Sequence, residues 1–169
     1  MQKHIAWSFK KKWWQWLFNS LGITSVALAV LYILVHWSTL PIAVPVHFNT
    51  IGEFDGYGSR YALFLIPTIA AALYGLFHYL ETTPTIYRFM TMEDEVPAKL
   101  ADVIQYVVHI IKNTTMLLLS YTTISLMMSA LKNTSSINMW VFGTLLGFIL
   151  LPSIIGAIYL IRMQLKASE

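Results

Sequence analysis

The chain contains no cysteine, which excludes disulfides, thiolate metal sites and catalysis by a cysteine nucleophile. Charged residues are also scarce: they make up 11% of the chain, whereas a soluble domain carries about 25%. The sequence has no paired-histidine metalloprotease helix, nucleophile elbow, P-loop or Rossmann glycine motif. Enzyme activity therefore has no motif to support it, and the composition is unlike that of a soluble domain.

Long apolar segments take the place of charge, since 57% of the 169 residues are hydrophobic. Four segments approach or exceed the roughly 20 residues that a membrane-spanning helix needs: about 17–37, 61–80, 105–131 and 139–161. The first segment is too long for a cleaved secretory signal, whose apolar region is about 7–15 residues, and no small-residue cleavage site follows it. We predict an all-α integral membrane protein, one domain of four transmembrane helices.

The basic residues predict an orientation, because cytoplasmic loops of membrane proteins are enriched in Lys and Arg. With the N-terminus inside, the opposite side retains only Arg60 and Lys132. Both termini are then cytoplasmic, and we expect the bacterial cytoplasmic membrane as the location. The basic residues on the cytoplasmic side are Lys3, Lys10, Lys11, Lys12, Arg88, Lys99, Arg162 and Lys166.

A polar, glycine-rich loop separates the first two spans and is the first candidate site. We expect it to be structured and extracytoplasmic, with Ser59 capping the helix that follows and Glu53 or Asp55 pairing with Arg60. Three interpretations remain: a folded turn, a surface that recognises a ligand or peptide, and a divalent-metal site using His47, Glu53 and Asp55. The candidate residues are His47, Asn49, Gly52, Glu53, Asp55, Gly58, Ser59 and Arg60.

The third span carries a second candidate site, a polar stripe that recurs at helical spacing. Polar groups within a span must face protein or water, so the stripe indicates either hydrogen bonds between helices or a hydrated path. We expect Lys112 to extend towards the membrane surface and His78 to pair with Glu81 one turn away. The stripe residues are Asp102, Tyr106, His109, Asn113, Ser120 and Thr123.

The fourth span contains Gly143 and Gly147 in a Gly-x-x-x-Gly pattern, which permits close helix packing within the bundle or between two protomers. Pro152 lies inside this span and is expected to kink it.

The loop residues Pro45, His47, Asn49, Gly52, Asp55 and Gly58-Ser59-Arg60 resemble the motif of a bacterial membrane-domain family of unknown function. That family occurs as small stand-alone proteins and as the N-terminal part of the SdpI immunity and signalling protein. A weaker likeness continues through residues 84–94, where Tyr87-Arg88-Phe89-Met90 replaces the Phe-Asn-Tyr-Pro of relatives. The resemblance implies a short SdpI-like protein, with immunity or signalling as the analogous role.

These observations lead to three functional hypotheses. The first is a non-enzymatic protein of immunity or signal-transduction type, which meets an extracytoplasmic peptide or toxin outside and a regulator inside. The second is an oligomeric transporter of ions or small solutes, and the third is a metal-dependent membrane enzyme. We expect the lipid bilayer and a homodimer as partners, no nucleic acid, and no cofactor unless the loop holds a divalent metal.

Overall fold

The computed structural model describes residues 11–83, 98–132 and 137–167, with only the backbone of residues 98, 99, 164, 166 and 167. Four α-helices are present there: α1 (Trp13–Val35), α2 (Leu65–Thr82), α3 (Ala98–Lys132) and α4 (Met139–Ala167). Each belongs to a helical segment long and apolar enough to cross a membrane. The predicted multi-pass membrane protein is confirmed in these terms, and each predicted span lies largely within its helical segment.

Helix α3 is the central element, because α1, α2 and α4 all pack against it while α1 and α2 contact each other little. Half of the most apolar stretch of α3 is buried, compared with 6% of the corresponding stretch of α4. The buried side of α1 repeats at helical spacing and meets α3. This side consists of Gln15, Asn19, Gly22, Ala29 and Ile33.

The loop between α1 and α2 forms a β-hairpin, so the prediction of an all-α protein is wrong in this region. Strand β1 (Ala43–Phe48) pairs antiparallel with β2 (Phe54–Ser59), and the register shifts on either side of His47. A short 3₁₀ helix (Arg60–Phe64) then leads into α2. The sequence pattern does not indicate these strands, because glycine and proline interrupt the alternation of polar and apolar residues that is typical of a strand.

Apolar packing fastens the hairpin to the helices at one end of the bundle, which we call the hairpin end. Val44 of β1 and Leu63 of the 3₁₀ helix are buried beside Ile33 of α1 and Met127 of α3. The opposite end, which we call the cluster end, has a smaller core in which Leu100, Ala101 and Ile104 contact Tyr159 and Leu160. The hairpin is therefore part of the folded bundle.

The tip of the hairpin also contacts the start of α4. The Ile137 N–H donates a hydrogen bond of 2.9 Å to the Gly52 carbonyl, and the Phe48 and Phe142 rings meet edge to face at 5.3 Å. Gly52 has a φ of 89°, a left-handed conformation that suits glycine. A Cβ there would lie 2.6 Å from Met139 Cγ, so both the turn and the close approach require glycine.

Two sequence expectations about α4 have different outcomes. Gly143 and Gly147 have open space where a Cβ would stand, so they do not mediate close packing within the described bundle. Gly156 instead faces α3, where a Cβ would come within 3.1 Å of Val107 Cγ2. Pro152 lies inside α4 as the sequence indicated, and its predicted kink stays a prediction.

We predict that Gly52→Ala destabilises the protein, because alanine is strained at this φ and would collide with Met139. We expect the free energy of unfolding to fall by about 1–3 kcal/mol, measured by denaturant unfolding in detergent. Gly75→Ala in α2 is the matched control, because nothing lies within 4 Å of its Cβ position. Equal stabilities of the two variants would contradict the assigned role of Gly52.

Candidate functional site

Asn49 organises the turn of the hairpin. Its side-chain oxygen accepts hydrogen bonds from the N–H groups of Ile51 at 3.1 Å and Glu53 at 3.0 Å. Its amide nitrogen lies 3.4 Å from a Glu53 carboxylate oxygen. This is the local side-chain-to-backbone bonding by which asparagine stabilises turns, so Asn49 has a structural role whatever the hairpin binds.

His47 and Asp55 form a pair that faces away from the bundle. Their Nδ1 and Oδ1 atoms are 2.5 Å apart across the two strands, and their side chains are 69% and 47% exposed. The irregular register at His47 places it opposite Gly56, where a side chain would collide with the histidine Cβ. The hairpin thus presents an imidazole and a carboxylate together on an exposed surface.

Arg60 does not pair with Glu53 or Asp55, so that expectation was wrong. Its guanidinium donates to the carbonyls of Trp37 at 3.3 Å and Leu40 at 3.5 Å, and it lies over the Trp37 ring. Asp55 is held by His47 instead. The backbone carbonyls of the turn after α1 accept hydrogen bonds from Arg60, and these contacts connect the hairpin to that turn.

The predicted cap at Ser59 is confirmed, although it precedes the 3₁₀ helix rather than α2 itself. The Ser59 hydroxyl oxygen accepts from the Tyr61 N–H at 3.4 Å. Gly58 lies opposite Val44 within the hairpin. Gly52, Gly58 and Ser59 thus shape the hairpin, and the exposed pair of His47 and Asp55 remains available for recognition.

A buried charge cluster occupies the other end of the bundle. Its centre is Glu81 near the end of α2, whose side chain is 0% exposed. The carboxylate lies 2.5 Å from the Lys112 ammonium and 2.9 Å from His109 Nδ1, both on α3. Two further basic groups are more distant, Lys11 at 3.4 Å and His78 at 3.9 Å. We call these five residues the Glu81 cluster.

Lys112 contradicts the expectation that it extends to the membrane surface, because its side chain is 0% exposed. The Glu81 carboxylate supplies a buried counter-charge, and the Tyr74 ring lies 5.0 Å from the ammonium. A buried ammonium is tolerated where a carboxylate and hydrogen bonds compensate for lost hydration. The sequence expectation failed because Glu81 lies 31 residues away along the chain.

The predicted pair of His78 and Glu81 is present only as a long contact, at 3.9 Å. The His78 ring is held instead by stacking on Tyr74, with the ring centroids 5.9 Å apart and the planes 4° from parallel. His109 makes the shorter contact because α3 packs along α2. The cluster therefore depends on tertiary packing more than on helical spacing within α2.

Part of the polar stripe of α3 faces α1, and two of its residues form hydrogen bonds across that interface. The Asn113 amide donates to Asn19 Oδ1 at 3.0 Å, and the hydroxyls of Ser25 and Ser120 are 3.0 Å apart. The rings of Trp14 and Phe18 pack against His109. These contacts favour interhelical hydrogen bonding, the first of the two interpretations of the stripe.

The remaining stripe residues have separate environments. Thr123 is buried and donates to the Leu119 carbonyl of its own helix, whereas Asp102 is exposed. Tyr106 lies under the Lys12 ammonium, which is 5.3 Å from the ring. A hydrogen bond to Tyr106, with a smaller contribution from the charge of Asp102, raises the pKa of Lys12 above its usual value.

Two buried polar atoms near this interface lack a hydrogen-bond partner within the described residues. They are Asn113 Oδ1 and Gln15 Nε2. Asn113 Oδ1 lies against Gly22, where a Cβ would stand only 2.8 Å from it. Glycine at this position lets the polar faces of α1 and α3 come together.

No group of three or more His, Asp or Glu side chains within residues 11–83, 98–132 and 137–167 is arranged to hold a metal ion. In the hairpin, His47 forms a hydrogen bond with Asp55, while Glu53 lies beside Asn49. The geometry of the described residues thus gives no support to the metal interpretation of the loop.

The Glu81 cluster is the site that sequence reasoning assembled only in part. His109 was placed on the polar stripe and His78 was paired with Glu81, but Lys11 and Lys112 were assigned to the membrane surface. A signal existed, since a carboxylate within an apolar span needs a basic partner. Spacing along the chain could not identify that partner. The resemblance at residues 84–94 lies outside the described residues.

The comparisons with known proteins found one family model and one curated relative, each matching part of the chain. A family described as "Domain of unknown function (DUF1648)" matches residues 24–71. An uncharacterized protein of Archaeoglobus fulgidus is 43% identical over 49 residues, which cover 29% of this chain and 27% of that relative. No solved structure matches the chain.

The matched segment runs from within α1, through the hairpin, into α2. The chain is thus similar to a family of unknown function across the hairpin and its flanking helices. The matched residues include His47, Asn49 and Asp55 but stop before Glu81. The chain is a multi-pass membrane protein whose hairpin region carries this similarity.

We predict that Lys112→Met lowers the free energy of unfolding by about 3–5 kcal/mol, because it removes the nearest positive charge from a buried carboxylate. The double variant Glu81→Leu/Lys112→Met should lose less stability than the sum of the single variants, since both buried charges are removed together. Denaturant unfolding in detergent measures all three.

Lys132→Met is the control, because this lysine is exposed at the hairpin end and should change stability by no more than about 0.5 kcal/mol. Strict additivity of the two single substitutions would show that Glu81 and Lys112 do not depend on each other.

Proposed function

We propose that this chain is a non-enzymatic membrane protein of immunity or signal-transduction type, in which the hairpin meets an extracytoplasmic peptide or toxin. The observation that carries the proposal is the exposed pair of His47 and Asp55 on a hairpin that is fastened to the bundle. An imidazole beside a carboxylate offers both a donor and an acceptor to a peptide. The SdpI-like resemblance of the same residues supports this role by analogy.

The way in which the hairpin is attached suggests how binding would reach the membrane. Its second strand continues through the 3₁₀ helix into α2, and its tip bonds to Ile137 at the start of α4. A ligand that shifted the hairpin would therefore act on both helices. In the predicted orientation the cluster end is cytoplasmic, and the inner segment at residues 81–112 would meet a regulator.

Exposed apolar groups on the hairpin also favour a peptide over a small polar solute. Ile51 and Tyr57 are both largely exposed near the pair. Within the described residues, each strand of this two-stranded sheet pairs with one other strand only, and an extended peptide can add to a sheet edge through backbone hydrogen bonds. Side chains of the peptide would then contact the His47 and Asp55 pair.

We predict that deletion of the gene sensitises the host to at least one secreted killing peptide. Wild-type protein should restore survival, whereas His47→Ala and Asp55→Ala should restore less, because each removes half of the exposed pair. Dose–survival curves across a panel of such peptides measure the effect.

Thr50→Ala is the matched control, since it changes an exposed turn residue without altering the pair. Immunoblots of membrane fractions should show equal amounts of all variants. Unchanged sensitivity of the deletion strain across the panel would contradict the proposal.

A second candidate function is that of an oligomeric transporter of ions or small solutes, supported by buried polar groups between α1, α2 and α3. Intramembrane ionisable residues often mark ion or substrate pathways. Glu81, His109 and Lys112 form such a group, and Asn113 extends it along α3. Four helices leave little room for a pathway, so this function would require a homodimer.

We predict for this alternative that liposomes containing the protein show ion or solute flux above empty liposomes, and that Glu81→Gln reduces it. Lys132→Met should leave the flux unchanged. Absence of flux for protons, alkali cations and small anions would exclude this function without affecting the first proposal.

A further inference from the structure

The four basic groups around Glu81 are not held equally. Lys112 and His109 contact its two carboxylate oxygens at 2.5 and 2.9 Å, which are hydrogen-bond distances. Lys11 at 3.4 Å and His78 at 3.9 Å are beyond the usual limit of about 3.2 Å. The carboxylate is thus bonded through both oxygens by His109 and Lys112, and within the described residues Lys11 and His78 form only longer contacts with it.

The two groups closest to Glu81 are also less exposed than the two more distant groups. The tightly held Lys112 and His109 are 0% exposed, whereas the side chains of Lys11 and His78 are 11% and 47% exposed. Counting only the lysines, two described ammonium groups face one carboxylate, so the described part of the cluster carries an excess positive charge. Lys11 lies at the edge of the cluster, where it is partly exposed, near the half-exposed His78.

The other charged groups described at this end do not cancel the excess. Lys12 lies at Tyr106, and Asp102 acts on Lys12. Arg162 of α4 is exposed and adds a positive charge. Among the described residues, the cluster end therefore offers Lys11 and His78 to an anion from outside the protein.

The position of these two groups indicates which anion. Lys11 lies two residues before α1, His78 is in the last turns of α2, and the Lys11 ammonium is 5.7 Å from the exposed Trp16 ring. Exposed tryptophans are typical of the headgroup level of a bilayer. Both helices then expose apolar side chains, including Leu17 and Leu76, which acyl chains would cover.

We propose that the start of α1 and the C-terminal end of α2 together form a binding site for an anionic phospholipid. The Lys11 ammonium and the His78 imidazole donate hydrogen bonds to the lipid phosphate, while Glu81 keeps Lys112 and His109. Basic pockets between helices near a membrane surface bind anionic headgroups in this way. The site is distinct from the hairpin and does not rest on its proposed function.

The test uses the full chain in a neutral detergent, with added phosphatidylglycerol, phosphatidylcholine or inorganic phosphate. Phosphatidylglycerol should raise the unfolding temperature in a saturable manner, and the other two additives should not. Lys11→Gln should weaken the apparent affinity for phosphatidylglycerol about fivefold. His78→Gln should weaken it as well, and Lys11→Arg should keep most of it.

Lys132→Gln is the matched control, because it removes an exposed lysine at the hairpin end and should bind phosphatidylglycerol as wild type does. His78→Gln keeps the test valid if Lys11→Gln fails to fold, since His78 is largely exposed. Equal stabilisation by phosphatidylcholine, or wild-type affinity in the folded Lys11 and His78 variants, would overturn the proposal. An equal effect of inorganic phosphate would identify a site for soluble anions instead.

Discussion

The buried contact of Glu81 with Lys112 and His109 is the constraint on which the cluster end depends. A carboxylate and an ammonium withdrawn from water are each costly alone, and together they hold α2 against α3 in one register. Lys11 extends the contact to the segment just before α1. Three parts of the chain are thereby fixed at one point, although α1 and α2 scarcely touch one another.

The same need to satisfy buried polar groups explains how α1 meets α3. Asn19 and Ser25 of α1 bond to Asn113 and Ser120, and Gly22 lets the two helices approach. At the hairpin end, apolar packing around Val44 and Leu63 replaces polar contacts. The central helix therefore joins a charged end to an apolar end, and the two candidate sites lie on opposite ends of the bundle.

The family model matches the hairpin and its neighbouring helices, residues 24–71. The Glu81 cluster lies beyond that segment, so the family match says nothing about its role. That role must be tested directly. Recognition at the hairpin and lipid binding at the cluster end are independent in this view. A lipid phosphate that engaged Lys11 would compete with Glu81 for the same ammonium, which would link the membrane composition to the packing of α1.

The sequence by itself determined that the chain has four helices of membrane-spanning length and that Ser59 caps the helix after the loop, because apolar length and capping are local properties. It left three interpretations of the loop around Asn49 open. It also placed His109 and Asn113 on one face of a helix, which follows from helical spacing alone. The partners of Arg60 and Lys112 were decided only by tertiary structure. Their partners lie 20 or more residues away in the chain. Pairing of the hairpin strands brings Arg60 to its partners, and packing of α3 against α2 brings Lys112 to Glu81.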